Sequence, residues 1–284
     1  MRRYLSENRL KIAAIIIGAI CLFWIFWFPE EAFPAVIFFD VGQGDSALIR
    51  TGSGPLVLID GGPDNRVLGQ LGENLSYRER GIDYLIISHF HDDHITGLIE
   101  TLRRFQVGRL IYAPPIPSSP LGEELLAVTR EKAVELVPIK REAAIGLGPD
   151  CGLTIINPDI LGVPADENNS LIVRFYCSDL RILFTGDNSA RVETALLASD
   201  YELSAAVLKA AHHGSKTASG DAFLRATGAK YLIISSGADN RFGHPHPEVL
   251  ARAVSLGMII VRTDKEGSIR VSADQLRAGK RAAD

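Results

Sequence analysis

Short apolar runs, each closed by a polar group rather than an ordinary turn, constrain this chain more than anything else in it. A first set reads "AVIFFDV", "SALIRTG", "PLVLIDGG", "DYLIISH" and "RLIYAP"; a second reads "LTIINP", "SLIVRFY", "RILFTGD", "AAVLKAAHHG", "YLIISS" and "IIVRTD". Lengths of about five to eight residues and a β-branched and aromatic content predict strands. Between them, stretches near 66–80, 96–106, 121–132, 188–199, 218–227 and 246–256 are amphipathic enough to form helices that cover a sheet. Each set opens on adjacent strands and then alternates strand with helix. The expected architecture is therefore α/β, in two similar halves, each a sheet covered by helices. The Pro-rich "APPIPSSP" (Ala113–Pro120) reads as a loop, and the C-terminal "QLRAGKRAAD" as a frayed tail.

Five of the strand ends share a character: "FFDVGQGDS", "LIDGG", "IISHFHDDH", "LFTGD" and "LKAAHHGS". Ligands of α/β proteins gather outside the carboxyl ends of strands, so these five ends are expected to form one site. In "HFHDDH", three imidazoles and two carboxylates occupy six positions, which neither packing nor a solvated turn requires. Imidazole and carboxylate together suit zinc-like ions. In a turn, His89 and His91 can aim at one ion while Asp93 and His94 aim at a neighbour, with Asp92 pointing elsewhere. One turn cannot close two coordination spheres, so later strand ends must contribute Asp187 and the pair His212–His213. Asp187 taken alone would cap the helix expected near Ser189; taken with the others, it would bridge two ions. Which of His212 and His213 ligates is open, because neighbours on an extended chain point apart.

The net charge of −4 provides no global basic field for nucleic acid. A polyanion would have to be held locally, by metal ions or a few cations; Lys209 and Lys216 flank the His pair and are otherwise expected to be solvated. From Ile12 to Phe28 the chain carries no charge, and at about 1.5 Å per residue such a helix is roughly 25 Å long, near the short limit for a bilayer span. Arg2, Arg3, Arg9 and Lys11 precede it and Glu30 and Glu31 follow, which puts the N-terminus in the cytoplasm and the remainder outside. The expected organisation is a cytoplasmic N-terminus (1–11), a single-pass transmembrane anchor (12–28), a catalytic domain (35–272) and a tail (273–284). Of the three cysteines, Cys151 would fall opposite Cys177 if Thr154 pairs with Arg174 in antiparallel strands. A disulfide is then open to them in an oxidising compartment, although two unrelated buried thiols are the expectation.

Taken together, "FFDVGQGDSALI", "VLIDGG", "HFHDDH", "NNSLIVRF", "ILFTGD", "LKAAHHGSKTA", "NRFGHPHPEVL" and "RTDKEGSI" resemble the metallo-β-lactamase superfamily, and within it the hydrolase domain of ComEC-type DNA-uptake proteins, over residues 35–272. The resemblance implies an αββα sandwich with a dinuclear site at the strand ends, which the anchor read from the uncharged stretch would carry on one N-terminal transmembrane helix. It implies two divalent ions, for which Zn2+ is the expectation and Mn2+ the alternative. His89 and His91 would hold one; Asp93, His94, Asp187 and one of His212 and His213 would hold the other. Two ions about 3.5–4 Å apart can generate hydroxide near neutral pH and stabilise both attacking and leaving oxygens. Asp93, His213 and His244 are the expected catalytic residues, with the remaining imidazole of the pair or His244 orienting substrate or protonating the leaving group.

This chain departs from the branch pattern in two places. His91 stands where members often carry Asp, and "ENNS" stands where many superfamily enzymes supply a third His, leaving the amides of Asn168 or Asn169. Asp60 is expected beside a ligand His, or simply opening a Gly-Gly turn. Ser215 and Ser236 lack a readable His–Asp partner, which disfavours a serine mechanism. Hydrolysis follows from the residues; a phosphodiester substrate, single-stranded DNA included, follows from the resemblance, as does a separate uptake-channel protein as partner. A small-ester or lactone hydrolase, and a catalytically weak accessory subunit, are the alternatives.

Overall fold

The structure, a computed structural model, describes residues 11, 14–20, 34–52, 54–76, 79–163 and 169–277. The chain divides into two compact units, Met1–Ala32 and Phe33–Asp284. In the first, residues 14–20 are helical. No helix among the described residues is long and apolar enough to cross a membrane; most of the expected anchor, 12–28, lies outside them, as does Asn168.

The second unit contains two seven-stranded sheets. In the first sheet the antiparallel strands β1 (Ala35–Phe38), β2 (Ala47–Arg50) and β3 (Val57–Ile59) continue into the parallel strands β4 (Gly81–Ile86), β5 (Gln106–Tyr112) and β6 (Glu135–Pro138). The second sheet repeats the scheme: β7 (Glu142–Gly148), β8 (Cys151–Ile156), β9 (Ile172–Cys177) and β10 (Leu180–Phe184) are antiparallel, and β11 (Val207–Lys209), β12 (Tyr231–Ile234) and β13 (Ile259–Arg262) run parallel. The chain then returns to the first sheet, where β14 (Ile269–Ser272) pairs with β1.

Alternation along each strand builds the layers. Val36 and Phe38 enter the core between the sheets, where Phe38 meets Phe184 at 5.5 Å between ring centroids. Ile37 and Phe39 point the other way, under the helices α1 (Arg66–Asn74), α2 (Asp92–Arg104) and α3 (Pro120–Glu131). In the second sheet, Tyr231 and Ile233 face inward while Leu232 and Ile234 pack beneath α4 (Ala190–Leu197), α5 (Asp221–Thr227) and α6 (Pro247–Ser255). Both faces of each sheet are covered, which is why these strands read as unbroken apolar runs rather than as alternation. The result is the expected αββα sandwich.

Five features differ from the sequence expectation. β6 and β7 are added: β7 lies at a sheet edge with every second residue exposed, and its small residues "EAAIGLG" carry a weak strand signal. β14 is a third addition. A short helix, α7 (Thr263–Glu266), leads into it, and beyond it the chain does not fray at once, because α8 (Ala273–Arg277) follows and places Ala273 and Leu276 against the central core. Finally, Cys151 and Cys177 are not unrelated thiols: the register is Thr154 opposite Arg174 and Cys151 opposite Cys177, and the two sulfurs are bonded.

Candidate metal centre

β4 ends at Ile86, and after Ile87 the residues Ser88 to His94 turn past the carboxyl end of the strand into α2. His91 is the helix N-cap, and Asp92 and Asp93 stand in the first turn, where the helix dipole favours acidic groups. The helix can start this close to the sheet because Gly61, after β3, meets Gly97 of α2. A Cβ on Gly97 would collide with the Gly61 carbonyl oxygen, so the contact requires glycine. The Gly61 N–H donates to the His94 carbonyl oxygen at 2.7 Å, tying the ligand-bearing turn to the sheet.

The second sheet brings its contribution from two strand ends. After β10, Gly186 takes a positive φ of 49° and Asp187 turns inward, its N–H donating to Ser170 Oγ at 2.9 Å. Asn188 fastens this turn by accepting from Ser170 N–H and donating to the carbonyls of Ser170 and Thr185. Asp187 is thus no helix cap; Ser189 is the N-cap of α4. After β11, His212 and His213 both adopt left-handed backbone conformations (φ 50° and 55°). Two successive non-glycine residues there are costly, a strain that folded proteins hold at functional sites. Its consequence answers the question the pair posed: the chain coils instead of extending, and both rings face Asp187.

The carboxylate of Asp187 lies at the centre. Its Oδ2 is 3.8 Å from His89 Nε2 and 3.7 Å from His212 Nε2; its Oδ1 is 3.6 Å from both His94 Nε2 and His213 Nε2. Asp93 joins the second group, 3.2 Å from His213 Nε2 and 4.0 Å from His94 Nε2. His91 is half-buried, with its ring 4.4 Å from that of His89. Asp92 is exposed, as expected. His244 stands beside the pair, its ring 5.6 Å from His212 and 6.2 Å from His213. Asn169 is half-buried next to Ser170.

The buried atoms that converge here lack partners. His89 Nε2, His94 Nε2, His213 Nε2 and Asp187 Oδ1 make no hydrogen bond among the described residues, and His89–His94–Asp187 and Asp93–His94–His213 each present three ligand atoms within 4.8 Å of one another. Buried polar atoms are otherwise satisfied in folded proteins. Four orphans aimed at one space, all of metal-ligating type, fit divalent cations.

The outer nitrogens are held. His94 Nδ1 lies 2.9 Å from Asp60 Oδ2, and Asp60 also accepts from Ser88 N–H and Ser88 Oγ. Asp60 therefore stands beside a candidate ligand, His94. His213 Nδ1 lies 3.1 Å from the Ser235 carbonyl and 3.3 Å from Asp45 Oδ1. Asp45 is in turn 2.7 Å from Lys209 Nζ. Lys209 is buried, contrary to the solvated side chain expected. It shares the inward parity of Val207 on β11, so it points between the sheets and needs a counter-charge there.

Electrostatics matches this geometry. Burial opposes charge on His94, but Asp187 and Asp60 outweigh it and hold the pKa well above the usual value. Burial likewise opposes charge on His213, and Asp187 and Asp45 raise it to about 9. Burial and the neighbouring His94 push His89 well down. Despite burial, His213 and His94 hold Asp187 well below the carboxylate range. His244 is lowered to about 4 by burial and by His213 and His212. In the metal-free protein its ring is therefore uncharged at neutral pH.

A sequence profile of the metallo-beta-lactamase superfamily matches residues 39–238. The chain belongs to that superfamily. It is 28% identical over 296 residues to ComE operon protein 3 of Bacillus subtilis (strain 168), covering 93% of this chain and 37% of that protein. Its identity to Competence protein ComA of Neisseria gonorrhoeae is also 28%, over 266 residues, covering 89% of this chain and 36% of that one. The chain thus spans little more than a third of the length of these relatives. Among solved structures, the metallo-beta-lactamase fold protein YhfI from Bacillus subtilis superposes with a TM-score of 0.53 at 14% identity, covering 81% of this chain and 96% of that one. Zn2+-bound PqqB from Methylobacterium extorquens gives 0.54 at 10% identity, covering 84% and 99%. These likenesses establish the metallo-β-lactamase fold, and its site residues here are suited to divalent metal.

The sequence missed Asp45, Ser88, Ser170 and Asn188, and placed Lys209 in solvent. Each is an ordinary polar residue of a loop or strand end, and only the period-2 parity of Lys209 with Val207 could have flagged one of them.

Proposed function

We propose that this chain is a metal-dependent phosphodiesterase acting on nucleic acid strands, membrane-anchored with its catalytic unit outside the cytoplasm. The observation that carries the catalytic reading is Asp187, whose two oxygens each face a different imidazole pair. In this assignment His89, His212 and Asp187 would hold one ion, with His91 beside them; Asp93, His94 and His213, again with Asp187, would hold the other. His212 then supplies the imidazole that "ENNS" does not, so the adjacent histidines divide between the ions instead of competing for one.

Two divalent ions, when bound, supply electrophilic activation of a phosphoryl group and of water. The protein's own groups do the rest. Asp60 and Ser88 hold the His94 ring in one tautomer with Nε2 turned inward, and Asp45 and Ser235 do the same for His213. Neutral His244, at the edge of the centre, can hydrogen-bond a substrate oxygen. Asp93, half-buried at the opening, can accept a proton from an entering water.

The competence-related names of the relatives support nucleic acid as substrate, and a separate uptake-channel protein as partner. The Cys151–Cys177 disulfide supports the exported location, since such bonds persist in oxidising compartments, and so does the N-terminal charge asymmetry. The test is metal analysis of the purified full chain, with assays on a chromogenic phosphodiester and labelled single-stranded DNA against Asp187→Ala. Metal-dependent turnover lost in the variant is expected. Bound metal without turnover would remove the enzyme reading, and cleavage of lactones or small carboxylic esters alone would replace the substrate.

A further inference from the structure

The loop between β12 and α6 carries "ADNRFGHPH" to the rim of the metal centre, and its centre is an exposed aromatic side chain. Phe242 is 51% exposed, and no other Phe or Trp among the described residues is open to this degree. Its ring lies nearly parallel to that of His244, at 5.7 Å and 21°. His244 continues the series to His212 at 5.6 Å, so a single ring separates Phe242 from the metal-binding imidazoles. Arg241, also exposed, places its guanidinium 5.0 Å from the Phe242 centroid.

The presentation is rigid. Asn240 donates to the carbonyls of Gly237 and His244, at 2.8 and 2.6 Å, and accepts from His244 N–H at 2.9 Å. One side chain thereby pins both ends of the turn that displays Phe242. An apolar ring left half in water on a braced loop forgoes the stabilisation of full burial, with only His244 and Arg241 beside it. A second cation, Lys216, is exposed on the same rim, its N–H donating to His246 Nδ1 at 3.3 Å.

We infer that Arg241, Phe242 and His244 form a stacking platform for a nucleobase of the strand whose neighbouring phosphodiester lies on the metal centre. This rests on the phosphodiesterase reading and specifies its substrate as single-stranded polynucleotide. A base offers a flat π-face that stacks on Phe and on a guanidinium plane alike, without regard to sequence. Arg241 is free to yield the ring to the base or to take the base on its own plane, while it and Lys216 meet flanking phosphates. In a duplex the base faces are already stacked and cannot reach the ring, so the platform selects single strands.

The test uses the full chain in detergent. Binding of a fluorescent single-stranded 12-mer is measured by anisotropy after chelation, so that no strand is cut. Phe242→Ala should weaken binding about tenfold or more, the size expected of one lost base–aromatic stack, and Phe242→Trp should restore it to within about threefold. The preference of the parent for single strand over duplex should shrink in Phe242→Ala. With metal restored, the ratio of kcat/KM for thymidine 5′-(p-nitrophenyl phosphate) over methyl p-nitrophenyl phosphate should fall in the same variant. Phe242→Ala binding the strand within twofold of the parent, or Phe242→Trp binding as weakly as Phe242→Ala, overturns the platform. Absence of turnover on either phosphodiester would defeat the phosphodiesterase reading alone, because the binding measurement needs no catalysis.

Discussion

Asp60→Asn isolates the role of a residue that lies outside the proposed ligand set and holds one of its members. Asp60 is buried, and its Oδ2 lies 2.9 Å from His94 Nδ1 and 2.7 Å from Ser88 Oγ, while its Oδ1 accepts from Ser88 N–H at 2.8 Å. Asparagine has the same shape but only one acceptor oxygen. If that oxygen keeps the Ser88 N–H, the amide NH2 faces His94 Nδ1. Two donors then oppose each other unless His94 moves its proton to Nε2, the nitrogen that must be bare to ligate. Either outcome weakens the centre. Loss of such an orienting carboxylate typically costs about 10–100-fold in metal affinity, or about 1.4–2.7 kcal/mol. Metal affinity measured by competition with a chromophoric chelator should show this drop, with Asp92→Asn, exposed and pointing away, as the control. The loss should appear while circular dichroism of the metal-free proteins coincides. An Asp60→Asn protein binding metal within twofold of the parent would refute the argument that Asp60 sets the His94 tautomer.

Three further outcomes follow from the geometry. The raised pKa values of His94 and His213, the latter about 9, stabilise the metal-free fold fully below pH 6.5, and that stability is lost as pH rises through the folded values. The lowered values of His89, His212 and His244 act oppositely, penalising the fold below pH 6.5. Chelated protein should therefore be most stable near pH 6.5, while metal affinity climbs from pH 6.5 towards 9 with proton release, seen by calorimetry in buffers of different ionisation enthalpy. Reducing the Cys151–Cys177 bond, which closes a loop of 26 residues, should lower stability by about 3 kcal/mol, read from denaturant midpoints with and without reductant. Gly97→Ala should destabilise by at least about 1–3 kcal/mol, because the added methyl meets fixed backbone rather than a side chain that can yield; a melting temperature unchanged within error would contradict that close approach.

The sequence by itself determined the layered α/β fold and most of the metal centre. A strand buried on both faces must be apolar throughout, and the runs "AVIFFDV" and "YLIISS" record that requirement locally, in consecutive residues. The turn "HFHDDH" is legible for the same reason: its ligands are neighbours in the chain. Edge strands such as β7 bury one face only and leave a weak signal, and β14 returns to the first sheet after all of the second has been built. Tertiary structure alone turned the rings of both His212 and His213 toward Asp187, because that depends on two left-handed backbone conformations that spacing does not encode. It also decided that Lys209 lies between the sheets and reaches Asp45, 164 positions away in sequence. A buried charge is recognised only when its partner is in place. The residues that orient the ligands therefore stay hidden in sequence, whereas the ligands themselves, chosen for their own chemistry, do not.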